Sequence, residues 1–148
     1  MNTKERLCRY INLKKENENR LERLARMRAN AQLPPLQQGD GSQHTGGDGQ
    51  RMTRAVENCL EYEEQIRPII QANRKEMEYI ETAISSLDDP LEREVLRLRY
   101  LDADNCRLIQ WDKVANQLYN TDSDWAIRSC QRIHKQGIQK IKEVFGGK

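Results

Sequence analysis

Residues 126–135 read Ala-Ile-Arg-Ser-Cys-Gln-Arg-Ile-His-Lys, a run in which hydrogen-bond donors recur at helical spacing. Arg128 and Arg132 are one turn apart, Lys135 follows, and Ser129 and Gln131 lie between. At 3.6 residues per turn, Ala126, Cys130, Ile133, Gly137, Ile141 and Val144 share one face and leave the donors on others. Arginine pairs bidentately with guanine and glutamine with adenine, whereas lysine and serine commonly hold phosphate. Duplex DNA recognition is therefore the chemistry within reach of Arg128, Ser129, Gln131, Arg132 and Lys135. Charge agrees: residues 126–148 carry six basic and one acidic side chain, net +5, against five basic and nine acidic over 88–124, net −4. A groove-reading helix should be basic, while its scaffold need not be. The same spacing also describes an ordinary solvated helix face, and spacing alone leaves both readings open.

Catalysis finds no footing. The chain has no GxSxG, no P-loop, no HExxH and no carboxylate pair beside a histidine. Asp88-Asp89 and Asp102-Ala103-Asp104 read as a helix cap and a loop. His134 follows Cys130 by four residues and shares its face, but two ligands without further partners make an incomplete metal site. The expectation is a non-enzyme without metal or cofactor. Trp111 and Trp125 read as core residues rather than stacking platforms. Cys8, Cys59, Cys106 and Cys130 show no CxxC spacing, which predicts free thiols in a reducing cytosol. No run of about 18 apolar residues is present, and Met1 to Arg6 lacks the apolar core of a secretory signal.

The donors need a scaffold, and the sequence from Leu87 onward supplies one. Asp89 as N-cap, Pro90 at N1 and Glu92 at N3 predict a helix start. Leu91, Val95, Leu98 and Leu101 form one face, with Leu96 and Tyr100 flanking, and Asp102 to Asn105 end it. A second helix covers Trp111 to Leu118, with Val114 and Ala115 inward. Tyr119 to Ser123 is the turn, and a third helix runs over 124–144 to stop before Gly146-Gly147. Helix, turn and basic helix form the arrangement that places one helix in the major groove.

The first 87 residues are of another kind. Of the 148 residues, 36% are apolar, 5% aromatic and 32% charged, a balance that favours long exposed helices over a large core. Residues 1–31 predict one helix, opened by a capping box of Asn2 and Glu5 and bearing a thin stripe of Leu7, Ile11, Leu21, Leu24 and Ala25. Residues 32–50 hold five of the eight glycines and Pro34-Pro35, and read as a linker in which His44 has no inferable role. Over 51–87, Met52, Val56, Cys59, Glu63, Ile66, Ile70, Asn73, Met77, Ile80, Ile84 and Leu87 alternate steps of four and three, a coiled-coil seam. Pro68 predicts a kink or break near Glu64 to Arg67. Glu63 and Asn73 either set register or mark where the seam frays. The two helices make an antiparallel hairpin or, alternatively, a parallel homodimer through the 52–87 seam.

The stretch from Leu87 to Ile141 resembles the fourth conserved region of bacterial sigma factors. It is most similar to sigma-region-4-like phage transcriptional regulators, the late-gene activators of the ArpU and RinA type. The residues that carry this are Leu87 and Pro90, the block Val95-Leu96-Arg97-Leu98-Arg99-Tyr100, Trp111 with Val114-Ala115, then Arg132-Ile133-His134, Gly137-Ile138 and Ile141. The turn Asn120 to Asp124 is longer and more acidic than the family's, and Gly137 stands where alanine is common, weakening the helix by about 0.5–1 kcal/mol. The resemblance implies an all-α chain with an N-terminal hairpin or coiled coil and a three-helix helix-turn-helix domain over 88–148. It implies a sequence-specific regulator, an activator of phage or prophage genes in the bacterial cytoplasm. Duplex DNA, bacterial RNA polymerase and a second copy of the chain would be its partners. Arg128, Ser129, Arg132 and Lys135 would face DNA. Two other functions fit the same elements: a DNA-packaging protein like a small terminase subunit, and a sigma- or polymerase-binding module with little DNA affinity. A formal net charge of +2 predicts few phosphate contacts and a moderate salt dependence.

Overall fold

The computed structural model describes residues 2–32, 45–103 and 107–146. Among them the regular structure is all helical: α1 (Thr3–Gln32), α2 (Thr45–Ser85), α3 (Pro90–Leu96) running into a π-helical turn (Arg97–Leu101), α4 (Trp111–Tyr119) and α5 (Asp124–Gly146). Among the described residues no helix is long and apolar enough to cross a membrane. The 32–50 stretch, expected to be linker throughout, is helical from Thr45 onward. Glycines at 46, 47 and 49 disfavour helix by about 1 kcal/mol each, yet extending a formed helix adds one bond per residue and needs no new nucleus. The rest of that stretch, including His44, and Asp104 to Cys106 lie outside the described residues. Two compact units result, Met1–Lys15 with Asn73–Lys148, and Glu16–Ala72.

In the Glu16–Ala72 unit, Leu24 of α1 packs with Cys59, Ile66 and Ile70 of α2, with Met27 and Tyr62 against them. Seam burial begins only at Cys59, since Met52 and Val56 are 38% and 45% exposed. Glu63 does not fray the seam: it accepts from Arg28 of α1 and from Arg67 at 3.1 Å. These guanidiniums hold its carboxyl below the usual carboxylate range. The helix runs through Pro68, so of the kink or break expected there the break does not occur. Proline's fixed φ is helical, and the donor it lacks would have met the carbonyl of Glu64, an exposed residue open to water. Ile66 and Ile70 on either side are anchored in the core.

In the other unit, Asn2 and Glu5 form the expected capping box. The Glu5 N–H donates to Asn2 Oδ1 at 2.8 Å and the Asn2 N–H to Glu5 Oε2 at 3.0 Å. Leu7 and Tyr10 then join Ile80 and Ile84 of the α2 end, with Leu87, Leu96, Tyr100 and Ile141, in one core. Arg6 donates to Glu76 at 2.8 Å, and its guanidinium lies 4.4 Å and 4.6 Å from the ring centres of Tyr79 and Phe145. Asp89 caps α3 by accepting from the Leu91 N–H at 2.9 Å. Glu92, expected to complete that cap, points elsewhere. Its carboxylate is 2% exposed and accepts from Lys140 Nζ of α5 at 2.9 and 3.0 Å. A buried carboxylate is tolerable only when paired. This pair ties α3 to α5, the helix carrying the candidate DNA contacts.

Gly137 has a packing role. A Cβ there would lie 3.1 Å from Leu96 Cδ1 and 3.7 Å from Glu92 Cβ. The helix propensity sacrificed at Gly137 is exchanged for close approach of α5 to α3.

Candidate nucleic-acid interface

A second core fixes α4 and α5 on α3: Val95 and Leu98 pack with Val114, Ala115, Ala126, Cys130 and Ile133. Val114, Ala115, Ala126 and Cys130 are each 0% exposed, so the small residues at 115 and 126 let the helices cross closely. The connection is tight. Asn120 takes the left-handed conformation, φ 61° and ψ 24°, and its N–H donates to the Asn116 carbonyl at 2.9 Å. Asparagine is among the few non-glycine types that accept this conformation readily. Ser123 then starts α5: its carbonyl accepts from Ala126 and Ile127 at 3.0 and 3.1 Å, and its own N–H donates to Thr121 Oγ1 at 3.2 Å. α5 begins at Asp124.

With Ala126, Cys130, Ile133, His134, Gly137 and Ile141 buried, the opposite face of α5 is open. Arg128, Gln131, Arg132 and Lys135 are exposed there, and Ser129 is half-buried at the edge. Arg128 keeps only a long contact, 3.4 Å, to the Asp124 carbonyl. Among the described residues no carboxylate is ion-paired with Arg128, Arg132 or Lys135. Further along, Gln139 and Lys142 line an open groove with Lys4 of α1, extending the basic surface. Three cations on one helix, none of them ion-paired with a carboxylate among the described residues, can meet an array of regularly spaced anions.

No family model, curated protein or solved structure matches this chain.

The two tryptophans part ways. Trp111 packs against the second core, with the Arg99 guanidinium 4.3 Å from its ring centre. Trp125, expected in the core, is 54% exposed. Helical spacing offers the reason: it precedes Ala126 by one position and is three residues before Arg128, so it stands on the donor face. Its indole rests on Tyr119 at the end of α4, ring centres 5.3 Å apart. Spacing could have placed it, had hydrophobicity not been weighted more heavily than position.

His134 packs rather than ligates. Its ring is 8% exposed, lies edge-on to Trp111 at 5.0 Å, and its Nε2 is 2.7 Å from Tyr100 Oη. Burial, helped by the charges of Arg99 and Lys4, lowers its pKa to about 4, while burial pushes Tyr100 up to about 12. Both groups are therefore neutral at pH 7. Unfolding restores the imidazole to near 6.5, so between these values the unfolded chain binds more protons. The stabilising contribution of the neutral ring is complete above about pH 6.5 and is lost as pH falls toward 4. Allowing for the solvent the ring still meets, the loss between pH 7.5 and 5 is about 1–2 kcal/mol. His134→Phe keeps an aromatic ring and cannot protonate, so urea unfolding at the two pH values should show that drop in the wild type only. Equal drops in both proteins would assign the acid sensitivity to other groups.

Proposed function

We propose that this chain is a sequence-specific DNA-binding transcription regulator of the sigma-region-4-like type, an activator of phage or prophage genes. In this reading α3, α4 and α5 form a helix-turn-helix domain and α5 enters the major groove. The observation that carries it is the face of α5 bearing Arg128, Gln131, Arg132 and Lys135, exposed and without carboxylate partners among the described residues, opposite a buried face. The major groove, about 12 Å wide, accepts a helix about 10–12 Å across. Tight packing of α5 on α4, through small residues and a left-handed Asn120, makes the donor array rigid, which base reading demands. The net charge of residues 126–148, +5, supplies attraction to phosphate where the helix would lie.

α1 pairs with α2 within each unit, Arg6 with Glu76 in one and Arg28 with Glu63 in the other, and this reading takes the hairpin rather than the parallel homodimer. The hairpin is the part available for a second copy of the chain or for RNA polymerase, since Met52, Val56 and Leu60 leave apolar surface exposed at successive turns of α2.

Selection from a pool of random duplexes tests the reading. The chain should recover a defined sequence, with binding whose logarithm falls with that of salt at a slope below about ten. Recovery of all sequences alike, with weak binding, would instead favour a protein-interaction module. A large ring of subunits in light scattering would favour a packaging protein.

A further inference from the structure

We infer that Trp125 is a specificity-determining residue of α5, set against the methyl group of a thymine at the edge of the sequence that Arg128 and Arg132 read. The inference rests on the DNA-reading function proposed above. Trp125 is the second residue of α5, and the N-terminal residues of a groove-entering helix are those that reach base edges. With Arg128 and Arg132 it occupies positions i, i+3 and i+7, one stripe on the helix. At 54% it is among the most exposed large apolar side chains described, alongside Leu60 at 56%, and it is the one that lies on the donor face.

Its orientation is supported rather than free. The indole leans on Tyr119 at 5.3 Å with the rings tilted by 56°. Tyr119 is itself packed against the second core, so the indole is held beside the turn through Asn120. A large aromatic placed next to two arginines gains nothing against water, but it does gain against an apolar feature of the surface those arginines approach. In the major groove that feature is the C5-methyl of thymine.

Wild type, Trp125→Ala and Trp125→Phe are each used to select from a pool of duplexes with about 30 random positions, then tested on the wild-type winner with thymine replaced by uracil. Circular dichroism and melting first establish that the variants fold. Wild type and Trp125→Phe should return a thymine beside the guanine-containing part. Trp125→Ala should keep that part and lose the thymine preference. Removing the methyl should weaken wild-type binding about 3- to 10-fold and leave Trp125→Ala unchanged. Identical consensus sequences for all three proteins, or an equal response to uracil in wild type and Trp125→Ala, would overturn the inference while leaving the DNA reading intact. A wild type that selects nothing would remove both.

Discussion

Replacing Arg128 and Arg132 together by alanine should weaken binding to the selected duplex by roughly a hundredfold to several thousandfold, with stability almost untouched. Each arginine that makes a bidentate contact to a guanine contributes about 1–3 kcal/mol of discrimination, and the two act one turn apart on one rigid helix. Neither supports the fold: both are exposed and neither is ion-paired within the described residues. Surface substitutions of that kind stay within about 0.5 kcal/mol. Lys135→Ala provides the contrast. A lysine on phosphate should weaken binding to all sequences alike and lower the salt slope by about one. Fluorescence anisotropy at two salt concentrations, beside thermal melts, separates these effects. If the double substitution leaves both affinity and sequence preference in place, the open face of α5 is not the interface.

The second large effect is on stability, at the contact of α3 with α5. Leu96 is 0% exposed in the core that also holds Leu7, Ile80 and Ile141. Leu96→Ala should cost about 3–4 kcal/mol, within the range for buried leucines whose cavities only partly collapse. Gly137→Ala in the wild type gains about 1 kcal/mol of helix propensity but places a methyl 3.1 Å from Cδ1 of the fully buried Leu96, closer than ordinary contact. A net loss of about 1 kcal/mol is expected. In the Leu96→Ala background the methyl enters vacated space, and the same substitution should stabilise by about 1 kcal/mol. Urea unfolding of the four proteins measures this coupling. A Gly137→Ala effect of equal sign and size in both backgrounds would show that close approach does not explain the glycine.

Several elements were legible because their causes lie within a few residues. The Asn2–Glu5 box and the Asp89 cap need only a side-chain oxygen and an N–H two or three positions on. The inward set Ala126, Cys130, Ile133, Gly137 and Ile141 follows from helical period alone. At Pro68 local chemistry sets a cost, and Ile66 and Ile70, packed with Leu24 of α1, help hold the helix unbroken across it. The π-helical turn at Arg97–Leu101 had no sequence signal. Arg99 and Tyr100 within it reach Trp111 and His134, which are distant in the chain.

The sequence by itself determined that this protein is helical, where most of its helices begin, and which side chains could face a groove, since each depends on neighbours one turn away. Tertiary structure alone decided that Glu92 turns from its cap to Lys140 and that Gly137 serves a contact with Leu96. In each case the outcome depends on which surface of another helix arrives opposite the residue. That is a matter of packing geometry, to which hydrophobicity and spacing along one strip of chain are blind.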